Sequence, residues 1–180
     1  MNEMRTDTVD MPLIGRAAEV VVDAVNPAER TIEVVWTTGA TIQRARIDGW
    51  GERIEYDEEL SLEPAHIRLD RLNAGAPFLN GHNGYSLETV LGAVVPGSAR
   101  IVGGKGHATI RMTSADDAAP LVQRIMDKSV RHVSVGYRVH AYEVTRAADG
   151  GRERWRAVDW EPMEISAGPI PARPGPPIRA

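Results

Sequence analysis

The stretch RHVSVGYRV, residues 131–139, decides the fold class of this chain. Its valines alternate with Ser134, Gly136 and Arg138, and a period of two residues is typical of a β-strand with two different faces. The valines predict a face that packs in a core. The serine belongs to the opposite face, where it is either part of a solvated surface or a nucleophile held on a rigid element.

Similar short patterns, separated by turn residues, occur along most of the chain. Asn26-Pro27 and Pro96-Gly97 mark two of the turns. Strands are predicted at 17–25, 31–38, 39–47, 88–95, 97–102, 106–113 and 153–160. Many strands with few helices predict a mainly β (α+β) chain, built as an antiparallel barrel or a sandwich.

Two helices are predicted between these strands. Residues 115–129 carry one apolar stripe, Ser114 can cap the first turn, and Pro120 is tolerated only near that turn. Residues 64–75 begin with a proline and end with a glycine, which suit the start and the end of a short helix.

Residues 52–63, ERIEYDEELSLE, carry six acidic residues against one arginine. A run of this charge is typical of a solvated loop. The alternative interpretation is a surface that meets a basic partner.

The composition excludes several classes of function. The 180 residues include no cysteine, which excludes thiol catalysis, disulfides and thiolate metal sites. The net charge of −4 argues against a nucleic-acid binder, and no apolar run approaches the roughly 18 residues of a membrane span. The five histidines lack metal-binding spacing, so neither a metal nor a cofactor is expected. Residues 1–16 have no apolar signal segment and are predicted to be a flexible leader of a cytosolic protein.

Ser134 and His82 are the candidate reactive residues. A serine hydrolase needs a nucleophile, a base that takes its proton and usually a group that orients the base. The turn NGHNG presents His82 as an accessible base, and Gly136 would let a substrate backbone approach closely. Taken alone, a loop histidine is more often a solvated side chain and a strand serine a surface residue, so these residues by themselves do not identify a hydrolase.

Three longer segments, in chain order, resemble a known family. They are FLNGHNGYSLETVLGAVV (78–95), RHVSVGYRV (131–139) and EPMEISAGPIPARP (161–174). Together they resemble the prohead (capsid-maturation) serine proteases of tailed bacteriophages, a family similar in fold to herpesvirus assemblin. The matching positions are Leu79, His82, Gly92, Ser134, Gly136, Tyr137, Glu164, Ser166, Pro171 and Ala172.

The resemblance implies an antiparallel closed β-barrel flanked by a few helices. The serine protease domain would span residues 17–172, followed by a proline-rich C-terminal tail or linker at 173–180. It implies an endopeptidase that cleaves scaffold segments of the major capsid protein, and also itself, inside the assembling prohead in the host cytoplasm. A homodimer is expected, with no nucleic-acid or membrane partner.

Carried over by position, the resemblance implies a Ser-His-Glu triad. Ser134 would be the nucleophile, His82 the general base and Glu164 the residue that orients the base, with Glu161 as the alternative. His132 shares the strand face of Ser134 and is an alternative base or a residue that shapes the site. Gly136 is the candidate substrate-binding residue.

A second function from another class stays open on the sequence alone. The same barrel could be a non-catalytic capsid assembly or scaffolding module. The presence of a serine, a histidine and a glutamate in the expected motifs favours the enzyme, because a scaffold has no need of them.

Overall fold

The computed structural model describes residues 3–5, 14–18, 24–47, 49–146 and 151–168, and strands make up most of this part of the chain. In chain order the elements are β1 (Glu3–Arg5), β2 (Ile14–Ala18), β3 (Val25–Asn26), β4 (Thr31–Thr37), β5 (Ile42–Ile47), β6 (Arg53–Leu60), α1 (Asp70–Asn73), β7 (Pro77–Asn80), β8 (Val90–Val94), β9 (Arg100–Val102), β10 (Lys105–Met112), α2 (Ala119–Met126), β11 (His132–Thr145) and β12 (Glu153–Gly168). Short 3₁₀ turns occur at Pro64–His66, Leu87–Thr89 and Asp116–Ala118.

The two longest strands, β11 and β12, form an antiparallel pair on which the rest of the sheet is built. Each is long enough to have two neighbours in succession along its outer edge. β11 pairs with β2 and then β1, whereas β12 pairs in parallel with β6 and then β7. Beyond β7 the sheet continues through β8, β10, β4 and β3, while β5 pairs with β6 and β9 with β10.

The described strands form one open sheet of twelve strands, so the predicted antiparallel closed β-barrel is wrong. A barrel closes when hydrogen bonds join its first and last strands into a continuous ring of fixed register. Here the path of paired strands ends at the three-residue β1 and the two-residue β3, and no ladder among the described strands joins these two ends. The parallel neighbours of β12 also depart from a purely antiparallel arrangement. The mainly β character with few helices agrees with the sequence-based expectation.

A cluster of buried apolar side chains holds β11 and β12 in place. Trp36 and Trp160, both 0% exposed, meet edge-on with ring centroids 6.1 Å apart, and Tyr137 packs against Trp160 at 6.0 Å. Val122 and Ile125 of α2 belong to the same cluster. Burying aromatic rings of this size contributes strongly to stability. The core therefore fixes the strand that carries Ser134.

The acidic run 52–63 differs from its prediction as a solvated loop. Its residues Arg53–Leu60 form β6, in which Tyr56, Glu58 and Leu60 are buried. The alternation that marks this strand is hidden in the sequence because one of the inward residues is a glutamate. A charge count alone therefore assigned the segment to the surface.

The helices are shorter than predicted. Within 115–129 the chain makes a 3₁₀ turn before α2, and no side chain caps either segment. Within 64–75 only the 3₁₀ turn and the four-residue α1 are helical. No described helix is long and apolar enough to cross a membrane.

Parts of the predicted flexible leader form strands. Glu3–Arg5 is β1, and residues 14–16 belong to β2, both paired with β11. The predicted tail at 173–180 and the end of the predicted domain at residue 172 lie outside the described residues, as does most of the predicted strand 17–25.

Candidate active site

The register between β11 and β12 brings the candidate residues onto one face. Ser134 pairs with Ser166, and Gly136 pairs with Glu164. Since side chains alternate along a strand, residues two apart share a face, and residues paired across strands share it too. Four positions of the family motifs therefore lie together on the β11–β12 pair.

His82 reaches this face from the neighbouring strand β7. The chain leaves β7 at Asn80, and the backbone N–H of Gly81 donates to the carbonyl of Ala167 at 3.1 Å. Gly81 and His82 both have left-handed backbones, with φ of 63° and 62°. This conformation is uncommon for a residue with a side chain, and strain of this kind clusters at functional sites. It turns the chain towards β12 directly after the strand ends.

Ser134, His82 and Glu164 form a continuous chain of hydrogen bonds. The Oγ of Ser134 lies 2.5 Å from Nε2 of His82, and Nδ1 of His82 lies 2.5 Å from Oε1 of Glu164. With the imidazole proton on Nδ1, the serine hydroxyl donates to Nε2 and Nδ1–H donates to the carboxylate. This is the order of contacts that makes a serine nucleophilic.

Ser166 completes the surroundings of the glutamate. Its hydroxyl donates to Oε2 of Glu164 at 2.5 Å and accepts the backbone N–H of His82 at 3.0 Å. Both carboxylate oxygens thus have a donor, which offsets the cost of burying a group only 4% exposed. The motif match included Ser166 without a role. Its place two residues after Glu164 was the available signal that the two side chains share a face.

His82, the middle member of the hydrogen-bonded chain, is the most exposed of the three residues. The side chain of His82 is 25% exposed, Ser134 is 9% exposed, and Glu164 is nearly covered. A substrate can therefore approach from the side of the imidazole, whereas water has little access to the carboxylate.

Gly136 has a structural role that the sequence did not indicate. A Cβ built on it would lie 2.0 Å from Oε1 of Glu164. The space above this glycine is filled by the carboxylate that binds His82. The sequence-based assignment of Gly136 to substrate binding stays a prediction.

The alternative residues have other positions. Glu161 accepts a hydrogen bond from Nε of Arg71 at 2.9 Å and lies 3.7 Å from Nε2 of His140, away from His82. The imidazole of His132 has a buried Nδ1 without a hydrogen-bond partner among the described residues. The geometry therefore brings together Ser134, His82 and Glu164 and leaves both alternatives outside the hydrogen-bonded chain.

In the described part of the chain, no group of three or more His, Asp or Glu side chains is arranged to hold a metal ion. The chemistry that the assembled groups can perform is proton transfer from a hydroxyl to an imidazole, followed by attack of the oxygen on an electrophile.

Comparisons with known proteins found no relative of this chain. No family model, no curated protein and no solved structure matches the chain. The resemblance to prohead proteases rests on the three sequence segments alone.

Proposed function

We propose that the chain is a serine endopeptidase that uses Ser134 as nucleophile, His82 as general base and Glu164 as the residue that orients His82. The observation that carries this proposal is the unbroken chain of hydrogen bonds, 2.5 Å at each step, from the serine hydroxyl to the buried carboxylate. Three residues from separate parts of the sequence meet in the order that acyl transfer requires.

In the proposed reaction, Nε2 of His82 takes the hydroxyl proton as Oγ of Ser134 attacks a peptide carbonyl carbon. The imidazolium formed is stabilised by Glu164, whose second oxygen is held by Ser166. His82 then gives the proton to the leaving amine, and an ester links Ser134 to the acyl half of the substrate. A water molecule, deprotonated by His82, hydrolyses that ester and regenerates the serine.

We further propose a biological substrate. The motifs around His82, Ser134 and Glu164 occur in the order found in phage prohead proteases, which supports scaffold segments of a major capsid protein as the substrate. Cleavage would then take place inside the assembling prohead in the host cytoplasm, by a homodimer.

An active-site probe tests the chemistry. A simple alkyl fluorophosphonate, which carries no peptide side chain, is expected to label the chain once, with the modified peptide containing Ser134 in mass spectrometry. Ser134→Ala should abolish the labelling, because the attacking oxygen is removed. The matched control is Ser114→Ala, since Ser114 is an exposed serine outside the site. Labelling that persists in Ser134→Ala would remove this residue from the proposed role.

Co-expression with a candidate major capsid protein tests the substrate. Wild-type chain is expected to shorten the capsid protein on a gel, and Ser134→Ala is expected to leave it at full length. Labelling of Ser134 without any shortening would retain the hydrolase and reject this capsid substrate. Shortening by both variants would contradict Ser134 as the nucleophile.

A further inference from the structure

The turn between β7 and β8, residues 81–89, carries two large apolar side chains in water. Tyr85 is 100% exposed and Leu87 is 90% exposed. Single exposed apolar residues are common on protein surfaces, so exposure alone assigns no role to them. These two, however, follow His82 by three and five residues. Their role therefore depends on where the β7–β8 turn lies relative to the triad.

The β7–β8 turn lies on the face of the sheet that carries the triad. Leu79 pairs with Ser166 in the parallel ladder between β7 and β12, so their side chains share a face. The backbone N–H of His82 donates to Oγ of Ser166 at 3.0 Å, which places the start of the turn over that face. Further along, a Cβ built on Gly84 would lie 3.8 Å from Cδ1 of Leu79. The turn therefore folds over the triad face of β7.

Hydrogen bonds close this turn on itself. Oγ1 of Thr89 lies 2.5 Å from the carbonyl oxygen of Asn83 and 2.6 Å from that of Ser86. The backbone N–H of Tyr85 donates to Oδ1 of Asn83 at 3.1 Å. The end of the turn thus returns to the residue directly after the histidine. A backbone tied in this way holds its exposed side chains in place, so less entropy is lost when they bind a partner.

The chain length bounds the distance between these side chains and the base. Three residues span at most about 11 Å, so the Cα of Tyr85 lies within that distance of the Cα of His82. Leu87 belongs to the same closed turn. An extended peptide covers about 3.3 Å per residue. A peptide bound across Ser134 therefore reaches the turn with its first three or four residues on one side of the cleaved bond.

We propose that Tyr85 and Leu87 bind one large apolar side chain of the substrate, within about four residues of the cleaved bond. The inference rests on the proposed function, since it assigns part of the specificity of the same site. Burial of apolar surface is favourable and non-directional, so it selects large apolar side chains as a class. A charged side chain would lose hydration without gaining a partner.

The substrate is favoured over a second copy of the chain as the occupant of this surface. The turn begins at His82, which is the most exposed of the three triad residues. A substrate has to approach from the side of this imidazole to reach Ser134. The two apolar side chains therefore lie beside the path that a peptide must take.

A mixture of peptides of varied sequence tests the assignment. Mass spectrometry of the products of the wild-type chain is expected to show large apolar residues enriched at one position near the cleaved bond. Two peptides that differ only by Leu or Ser at that position should then differ in kcat/KM by at least about tenfold in favour of Leu. The double substitution Tyr85→Ser, Leu87→Ser should reduce this ratio to below about threefold.

The control variant is Ile47→Ser. Ile47 is also an exposed apolar residue, at 67%, but it lies on β5, whose partner β6 adjoins the start of β12 at Glu153–Ala157. Glu164 follows Ala157 by seven residues, or about 23 Å along the strand. This variant should keep the wild-type ratio between the two peptides. Urea unfolding of both variants verifies that they are folded.

The outcomes separate this inference from the proposed function. If the wild-type chain cleaves peptides without an apolar preference, or if the double variant keeps that preference, the assignment of Tyr85 and Leu87 is overturned and the hydrolase stands. A retained preference together with loss of a wild-type dimer in sedimentation velocity would assign the two side chains to a second copy instead. If the wild-type chain cleaves no peptide, the proposed endopeptidase fails and this inference fails with it.

Discussion

His82 is held at two points by the same pair of residues. Its imidazole donates to Glu164, and its backbone N–H donates to Ser166, whose hydroxyl in turn donates to Glu164. The three hydrogen bonds therefore form a closed ring that includes both the backbone and the side chain of His82. An imidazole fixed in this way loses less conformational entropy when it aligns with Ser134, so the site is preorganised.

Gly136→Ala is expected to inactivate the site by displacing the Glu164 side chain, without a change in the backbone of β11. The new methyl would lie 2.0 Å from Oε1 of Glu164, so the carboxylate must leave Nδ1 of His82. In serine protease triads, loss of the residue that orients the base costs about 10⁴-fold in kcat. The rate of fluorophosphonate labelling at Ser134 should fall with it, because the probe needs the same activated hydroxyl.

Gly49→Ala is the matched control for this substitution. A Cβ at Gly49 would meet no atom within 4 Å, and its labelling rate should equal that of wild type. If Gly136→Ala also labelled at the wild-type rate, the carboxylate of Glu164 would not be required to orient His82.

At the scale of elements, a buried charged cluster joins the β5–β6 pair to β11. Glu58 of β6 is 0% exposed and accepts hydrogen bonds from the hydroxyls of Tyr137 at 2.5 Å and Tyr142 at 2.6 Å. Arg44 of β5 donates to Glu58 at 3.1 Å and to Tyr137 at 2.9 Å. Four polar side chains thus satisfy one another inside the sheet.

Glu58→Leu is expected to destabilise the chain by about 3–5 kcal/mol, because it leaves the guanidinium of Arg44 without its buried counter-charge. Adding Arg44→Met should recover part of this loss, since the unpaired charge is then removed as well. Urea unfolding of the single and double variants measures both free energies. Asp159→Asn, which breaks a pair with Arg68 that is open to solvent, should cost far less.

A single variant Glu58→Leu as stable as wild type would show that the cluster contributes nothing to the attachment of β5 and β6. A double variant that loses the sum of both single effects would show that Arg44 and Glu58 act independently.

The strands that could be predicted from the sequence are those with plain alternation. Residues 31–38 and 106–113 correspond to β4 and β10 within a residue or so at each end, because one face of each is apolar. Strand β6 was not predicted because its inward face carries Glu58. Such a residue looks like a surface residue until its partners on β5 and β11 are known, and those lie 14 and 79 residues or more away.

For the site, the sequence motifs supplied the three residues that the fold brings together. The spacing of Glu164 and Ser166 placed their side chains on one face, but the hydrogen bond from Ser166 to Glu164 and the close contact between Gly136 and the Glu164 carboxylate could not be predicted. The contact with Gly136 depends on the register between β11 and β12, which no local pattern encodes.

At the scale of the whole molecule, the site exists only when the sheet is complete. His82 belongs to the turn after β7, and Ser134 and Glu164 lie on β11 and β12, so contacts 52 and 82 residues apart must form together. Since the sheet is open, its integrity depends on side-chain clusters as much as on strand pairing. The conditions that loosen those clusters should therefore also switch off the site.

High pH is such a condition, and the buried tyrosines set the pH above which the free energy of unfolding falls. Burial, with the neighbouring Glu58 carboxylate, raises the pKa of Tyr142 above its ordinary value of 10.0, and burial likewise raises the pKa of Tyr56. Below about pH 10 both rings are protonated in the folded and unfolded chains, and the stability is fully present. Above pH 10 the unfolded chain releases these protons while the folded chain keeps them, so the free energy of unfolding falls as the pH rises.

The expected slope is up to about 1.4 kcal/mol per pH unit for each of these two tyrosines, measured by urea unfolding between pH 8 and pH 11. The sequence has no cysteine, and its only lysines, Lys105 and Lys128, are exposed. Tyr142→Phe should lower the stability at pH 8, because Glu58 loses a donor, and should reduce the slope above pH 10. Tyr85→Phe is the control, since that ring is 100% exposed and its removal should leave the slope unchanged. A slope in Tyr142→Phe equal to that of wild type would show that Tyr142 does not cause the loss of stability at high pH.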